Sequence, residues 1–158
     1  MRDKDVVVER MVEMELKVKK MRDNAVIPTR GSKEAAGIDL YACLDEAIGI
    51  EPGQTVTFST GIACEFPKGY FGMVCVRSSI GFKRELGLIN QIGIIDEDFR
   101  NEIMIGLKNF GDETQIIEPN ERIAQMIISP YIKPEIKVVD VLSESERGLG
   151  GIGSSGRF

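Results

Sequence analysis

The residue types best suited to chemistry sit together in Asn90 to Glu102, NQIGIIDEDFRNE. There Asp96, Glu97 and Asp98 follow the apolar approach Gly93-Ile94-Ile95 and precede Phe99. Three carboxylates this close raise one another's pKa unless a cation or a hydrogen-bonded water takes up the charge. Taken alone, such a triplet reads as a solvated hairpin tip. The chain has no histidine in its 158 residues, which excludes a His-based triad, a His-containing zinc site and an imidazole base. Acid-base work must fall to carboxylates, Lys, Tyr or Cys.

Four further segments carry candidate groups. Asp39 lies among alternating apolar neighbours in AGIDLYA, where an acid is usually edge-exposed or paired. Arg77, Ser78 and Ser79 open a short helical stretch after an apolar strand. A guanidinium, two hydroxyls and the free N–H groups of a helix start suit a phosphate, while the plainer alternative is a Ser cap beside a surface Arg. In ERIAQMI, Arg122 reads best as a structural ion-pair partner, whereas Gln125, among Ile123, Ala124, Met126 and Ile127, needs partners for its amide. The Gly/Ser-rich end, SESERGLGGIGSSGRF, brings Arg147, Gly153, Ser154 and Ser155 together. By composition it is a disordered terminus, yet its glycines would let backbone N–H groups wrap an anion. It is not a P-loop, because no Lys-Ser/Thr pair follows.

These groups must be positioned by a mostly β chain. The length suits one domain; 42% apolar and 28% charged residues fit a folded globule. No apolar run approaches the ~18 residues of a spanning helix, and the charged N-terminus lacks a secretory core, so a cytoplasmic protein is expected. The net charge of −5 argues against a general nucleic-acid surface. Cys43, Cys64 and Cys75, odd in number and unpaired in spacing, read as free thiols. Residues 12–20 alternate as a half-buried strand. IDLYACL, TVTFST, GIACEF, FGMVCVR, LGLINQIGII, EIMIGLKNF, TQIIE, RIAQMIISP and EIKVVDVL follow as further strands between turn signals. A short helix is expected within 78–87, capped by Ser78 or Ser79 and stopped by Gly87. Such a series favours an all-β sandwich or barrel.

In order and separation, AGIDLYA, RSSIGFK, NQIGIIDEDFRNE, ERIAQMI and RGLGGIGSSGR resemble the five motifs of the trimeric dUTPases, from about residue 12 to the end. The resemblance implies an all-β jelly roll with one short helix, a homotrimer with each active site built from three chains, and dUTP as substrate. The products would be dUMP and pyrophosphate, limiting uracil incorporation into DNA and supplying dUMP for thymidylate synthesis. It divides the chain into an extension (1–11), a β domain (12–142) and a Gly-rich arm (143–158) that closes over a neighbouring subunit's nucleotide. It implies Asp96 as the base for the attacking water. Mg²⁺ would bridge the triphosphate oxygens and be touched by Asp39 through water. Arg77, Ser78, Ser79 and Gln125 would contact phosphate, and Arg147, Gly153, Ser154 and Ser155 would hold the γ-phosphate end. Asn90, Gly93 and Ile95 would read uracil, and Phe99 would lie under C2′. No nucleic-acid or membrane partner is implied.

Departures qualify the resemblance. Phe99 stands where the family usually has Tyr, Asn101 and Ser79 where it commonly has Gly, and Ile152 where an aromatic stacks on the base. Aliphatic cover at Ile152 implies a weaker or less selective lid. Two alternatives stand beside the main reading. One is a dCTP deaminase-like enzyme of the same fold, whose strand Glu is here Gly106; the other is a non-catalytic nucleotide-binding regulator.

Overall fold

A computed structural model describes residues 14–152 and residue 154. Its order is β1 (Lys17–Lys20), β2 (Thr29–Arg30), β3 (Ile38–Tyr41), β4 (Ile48–Ile50), β5 (Thr55–Ser59), β6 (Ile62–Glu65), β7 (Tyr70–Val76), α1 (Ser78–Arg84), β8 (Leu86–Leu88), β9 (Gly93–Ile95), β10 (Met104–Asn109), β11 (Gln115–Ile117) and β12 (Arg122–Pro130). The largest sheet runs β2-β3-β12-β7-β9, and β5-β10-β8 forms a second. The pairs β1-β6 and β11-β4 complete the layers. Every pairing is antiparallel, and the fold is a jelly roll.

The core forms where the inward faces of the sheets meet. Leu40, Phe58, Leu107, Ile123 and Met126 are completely buried there. β10 alternates strictly, sending Ile105, Leu107 and Asn109 inward, as a strand with one wet face does. Asn109 is tolerated in that row because its amide donates to Ile50 and Glu113 carbonyls at 2.8 Å while its Oδ1 accepts from Gly111 N at 2.9 Å. The three cysteines are free, and burial pushes the Cys64 thiol up to about 11. No helix among the described residues is long and apolar enough to cross a membrane.

Several expectations are corrected. Of the strand expected over 12–20, the described residues form strand at Lys17–Lys20, where it pairs with β6; Val12 lies outside the described residues. LGLINQIGII is broken into β8 and β9 by a turn in which Gln91 takes φ 59°. The short strand β4, Ile48–Ile50, has no counterpart among the expected runs. α1 has no side-chain cap: Arg77 holds the N-cap position, and the helix ends at Glu85, whose φ is 52°. Gly87 lies in β8 instead of stopping the helix, and a Cβ there would stand 2.8 Å from the Phe110 ring. EIKVVDVL forms no strand, and Ile136, Val138, Val141 and Leu142 are exposed. Its alternation is real, but no strand of the same chain pairs with it among the described residues.

Candidate active site

β7 organises the candidate groups, because β9 pairs along its start and Arg77 follows its end. The register sets Ile95 opposite Gly72 and Gly93 opposite Val74. Asp96, one residue past β9, therefore stands near the Phe71 end of β7, and Arg77 lies just beyond Val76 at the other. With ~3.3 Å per residue, the two are separated by about 15–20 Å of strand. The sequence-derived site residues thus fall into two clusters in one chain, plus the terminal segment.

The first cluster surrounds Asp96. Its carboxylate is exposed, and the turn is closed by Phe99 N donating to Asp96 O at 3.1 Å. A cavity of about 590 Å³ is lined by Phe71, Ile94, Asp96, Glu97, Tyr131 and Lys133, together with Asp98. On the hairpin's neighbouring side, Asn90, Gly93 and Ile95 line a second cavity of about 270 Å³ with Val74, Ile89 and Gly106. A Cβ at Gly93 would stand 3.2 Å from Val74 Cβ, so a side chain there would press on β7. Phe99 is 38% exposed at the rim of the turn.

Glu97, which within the acidic triplet taken alone reads as part of a solvated hairpin tip, is instead tied into the structure. Its Oε2 accepts from Gly69 N at 2.7 Å and from the Tyr131 hydroxyl at 2.8 Å. These bonds, the Gly69 N–H foremost, hold its carboxyl below the usual range, and the hydrogen bond to Glu97 raises the Tyr131 phenol. Arg100 reaches the Glu97 backbone oxygen at 2.6 Å instead. Nothing in the sequence signals the Tyr131 partner, which lies past the end of β12.

The second cluster centres on Asp39, which is 4% exposed. Its Oδ1 lies 2.8 Å from Arg77 Nε and its Oδ2 3.2 Å from Arg122 Nη1. Arg122 is thus an ion-pair partner, as its strand position suggests, and Asp39 is paired on both oxygens. Gln125 sits opposite Asp39 on β12 and donates to Val76 O at 3.3 Å. A Cβ at Gly37 would collide with the Gln125 carbonyl oxygen, so the glycine of AGIDLYA makes room for that amide. Gly31, Ser32, Gly37, Asp39, Arg77, Ser78, Gln125 and Ala35 line a polar cavity of about 260 Å³. Ser79 lies beside it, its hydroxyl 3.5 Å from Arg77 Nη1.

In the terminal segment, Arg147, Ile152 and Ser154 are exposed. Gly150 N bonds to Arg147 O and Ser154 N to Gly151 O, both at 3.1 Å, as local turns. Gly153 and Ser155 lie outside the described residues.

A carboxylate cage for a metal is absent: no group of three or more His, Cys, Asp or Glu that could hold an ion occurs among the described residues. A lone, arginine-paired carboxylate at the edge of a polar cavity fits Mg²⁺ that arrives on a triphosphate with its own waters, since Mg²⁺ needs few protein ligands.

Comparisons with known proteins agree in kind. The dUTPase family model matches residues 23–156. A deoxyuridine 5'-triphosphate nucleotidohydrolase of Polynucleobacter necessarius is 45% identical over 140 residues, covering 87% of this chain and 92% of the relative. One from a Hydrogenobaculum strain is 43% identical, covering 90% and 99%. Among solved structures, the dUTPase of Staphylococcus bacteriophage 80alpha with dUpNHpp superposes with a TM-score of 0.77 at 30% identity, covering 90% and 98%. A mutant dUTPase from S. aureus phage phi11, described as coordinating a structural Mg(II) ion, does so with a TM-score of 0.74 at 25% identity, covering 82% and 99%.

Proposed function

This chain belongs to the dUTPase family and is an enzyme that hydrolyses dUTP, and we propose that Asp96 is the base that takes the proton of the attacking water. The water oxygen bonds to the α-phosphorus, the bridging bond to the β-phosphate breaks, and dUMP and pyrophosphate leave. Asp96 suits this role because it is an exposed carboxylate that lines the Phe71–Tyr131 cavity and follows directly on Ile95, which lines the cavity of Asn90 and Gly93, and the chain has no histidine.

The observation that carries the reading is the separation of the two clusters along β7. The phosphorus atoms of one triphosphate are joined through single bridging oxygens, so an α-phosphorus beside Asp96 leaves the β- and γ-phosphates too near to reach Arg77 of the same chain. The site then needs a second copy: one chain gives Asp96 and the base-reading hairpin, its neighbour gives Arg77, Ser78, Ser79 and Gln125. A closed homotrimer supplies that arrangement three times over. The arm of a further copy, with Arg147, Gly153, Ser154 and Ser155 for phosphate and Ile152 over the base, completes the enclosure on binding. Phe99 lies against the sugar at C2′.

Mg²⁺ is the cofactor of this reading; it would arrive on the nucleotide, and Asp39 is the residue that would help hold it, through water. When bound it neutralises charge on the triphosphate oxygens. Arg77 adds a fixed guanidinium to the same oxygens, oriented by Asp39. A cytoplasmic location goes with this reading. Deamination of dCTP lacks its acid, since the strand position concerned is Gly106, against which Ile89 packs so that a Cβ would stand 2.7 Å from its Cδ1. Pyrophosphate release from dUTP with Mg²⁺ tests the assignment. General-base help is worth about 10²- to 10⁴-fold, and Asp96→Asn is expected to lose that much; an unchanged rate would remove Asp96 from the mechanism.

A further inference from the structure

The acidic turn is tied to two distant segments through one oxygen. Glu97 Oε2 accepts from Gly69 N in the turn before β7 and from the Tyr131 hydroxyl just after β12. Tyr131 is itself held at that spot: its N donates to Gly69 O at 3.1 Å, and its ring meets Phe71 edge-on at 6.3 Å between centroids and 81°. Glu97, Tyr131 and Phe71 line the same cavity as Asp96. Apart from this clasp, the turn is held by contacts within itself, Phe99 N to Asp96 O and the Arg100 guanidinium to the Glu97 and Phe99 carbonyls. An exposed turn closed only on itself leaves its carboxylates free to move. The external anchors come from the two segments that flank the cavity, one of them the point from which the whole C-terminal segment departs.

We propose that Glu97 is a positioning residue for Asp96, and that the Tyr131 hydroxyl, acting through Glu97, fixes the acidic turn to the root of the C-terminal segment. This rests on the reading of Asp96 as the base. Glu97 touches no reacting atom in this scheme. Its carboxylate replaces mobile water as the acceptor for two fixed donors, so the next residue toward the N-terminus is held where the water must be deprotonated. A small misplacement of a base lowers the chemical step without altering substrate binding.

The test compares Tyr131→Phe, Glu97→Gln, Glu97→Ala and Asp96→Asn in the full-length protein by steady-state pyrophosphate release, with thermal melts as the folding control. Tyr131→Phe keeps the ring against Phe71 and removes one hydrogen bond to a charged acceptor; kcat is expected to fall about 3- to 10-fold with KM within about twofold. Glu97→Ala should fall about 10- to 100-fold, and Glu97→Gln, which keeps a carbonyl acceptor, should recover most of that loss. If Glu97→Ala does not fold, Tyr131→Phe decides alone. The proposal is overturned if Tyr131→Phe keeps a wild-type kcat, or if Glu97→Gln is as damaged as Glu97→Ala. Asp96→Asn separates the two levels. Retained turnover there sinks the base reading, whereas its loss beside a wild-type Tyr131→Phe sinks the positioning role alone.

Discussion

Arg77 Nε lies 2.8 Å from Asp39 Oδ1, and the carboxylate's other oxygen is taken by Arg122. The pair joins the first and second motifs into one object: a nearly buried acid that orients a guanidinium toward a polar cavity. Removing one member of a buried pair costs about 3–5 kcal/mol. With Arg122 45% and Arg77 25% exposed at their side chains, solvent screens part of that, and a loss of about 1–3 kcal/mol is expected for Asp39→Asn. The same variant should raise KM for dUTP more than it lowers kcat. Chemical denaturation and steady-state kinetics check the two halves. A normal KM would detach Asp39 from phosphate binding.

Gly106 and Ile89 make a second testable pair. A methyl at 106 would stand 2.7 Å from Ile89 Cδ1 and 2.8 Å from its Cγ1, so that this side chain, 54% exposed, must rotate toward solvent. Gly106→Ala should therefore change stability by less than about 1 kcal/mol. Because Ile89 lines the cavity of Asn90 and Gly93, KM for dUTP should rise. Incubation of the unmodified enzyme with dCTP should release no ammonia.

Much of this was legible in the sequence, and the failures are instructive. Strands with an apolar alternation and a partner in the same chain, such as RIAQMIISP and EIMIGLKNF, are found where periodicity puts them. EIKVVDVL has the same alternation and forms no strand, because periodicity reports which face wants burial and says nothing about whether a partner edge is available. The Asp39–Arg122 pairing was foreseeable in kind, an Arg in a strand among many acids. The Glu97–Tyr131 bond was not: it joins positions 34 apart through a hydroxyl on a residue outside every motif. The helix stop was misjudged because glycine is the usual left-handed residue, and here Glu85 takes that conformation.

The clasp should be visible in the pH dependence of stability. Glu97 has its carboxyl depressed below 4.5, first by Gly69 N–H and then by Tyr131. A depressed carboxyl contributes stability that is present above the unfolded value and is lost as pH falls through the folded one. The difference in Tm between wild type and Glu97→Ala should thus persist near neutral pH and shrink below about pH 4. A difference that stays constant into acid would assign the loss to packing instead.

Ile152 supplies area without a π face, so Ile152→Phe should lower KM for dUTP and increase protection of the terminal segment from proteolysis when a non-hydrolysable dUTP analogue is bound. A base-stacking gain is worth about 1–3 kcal/mol in comparable contacts, which corresponds to a change in KM of about 5- to 150-fold. Unchanged KM and unchanged protection would show that this side chain does not cover the base.

The central claim, that Asp96 and Arg77 serve one reaction from different chains, is tested most directly by mixing two inactive variants. Asp96→Asn and Arg77→Ala are each purified, then unfolded together in equal amounts and reassembled, and pyrophosphate release is measured. In mixed trimers some sites receive Asp96 from one chain and Arg77 from its neighbour, so activity should return to about a quarter of the wild-type rate. No recovery in trimers shown to contain both variants would contradict the account, because it would mean that both groups must come from the same chain.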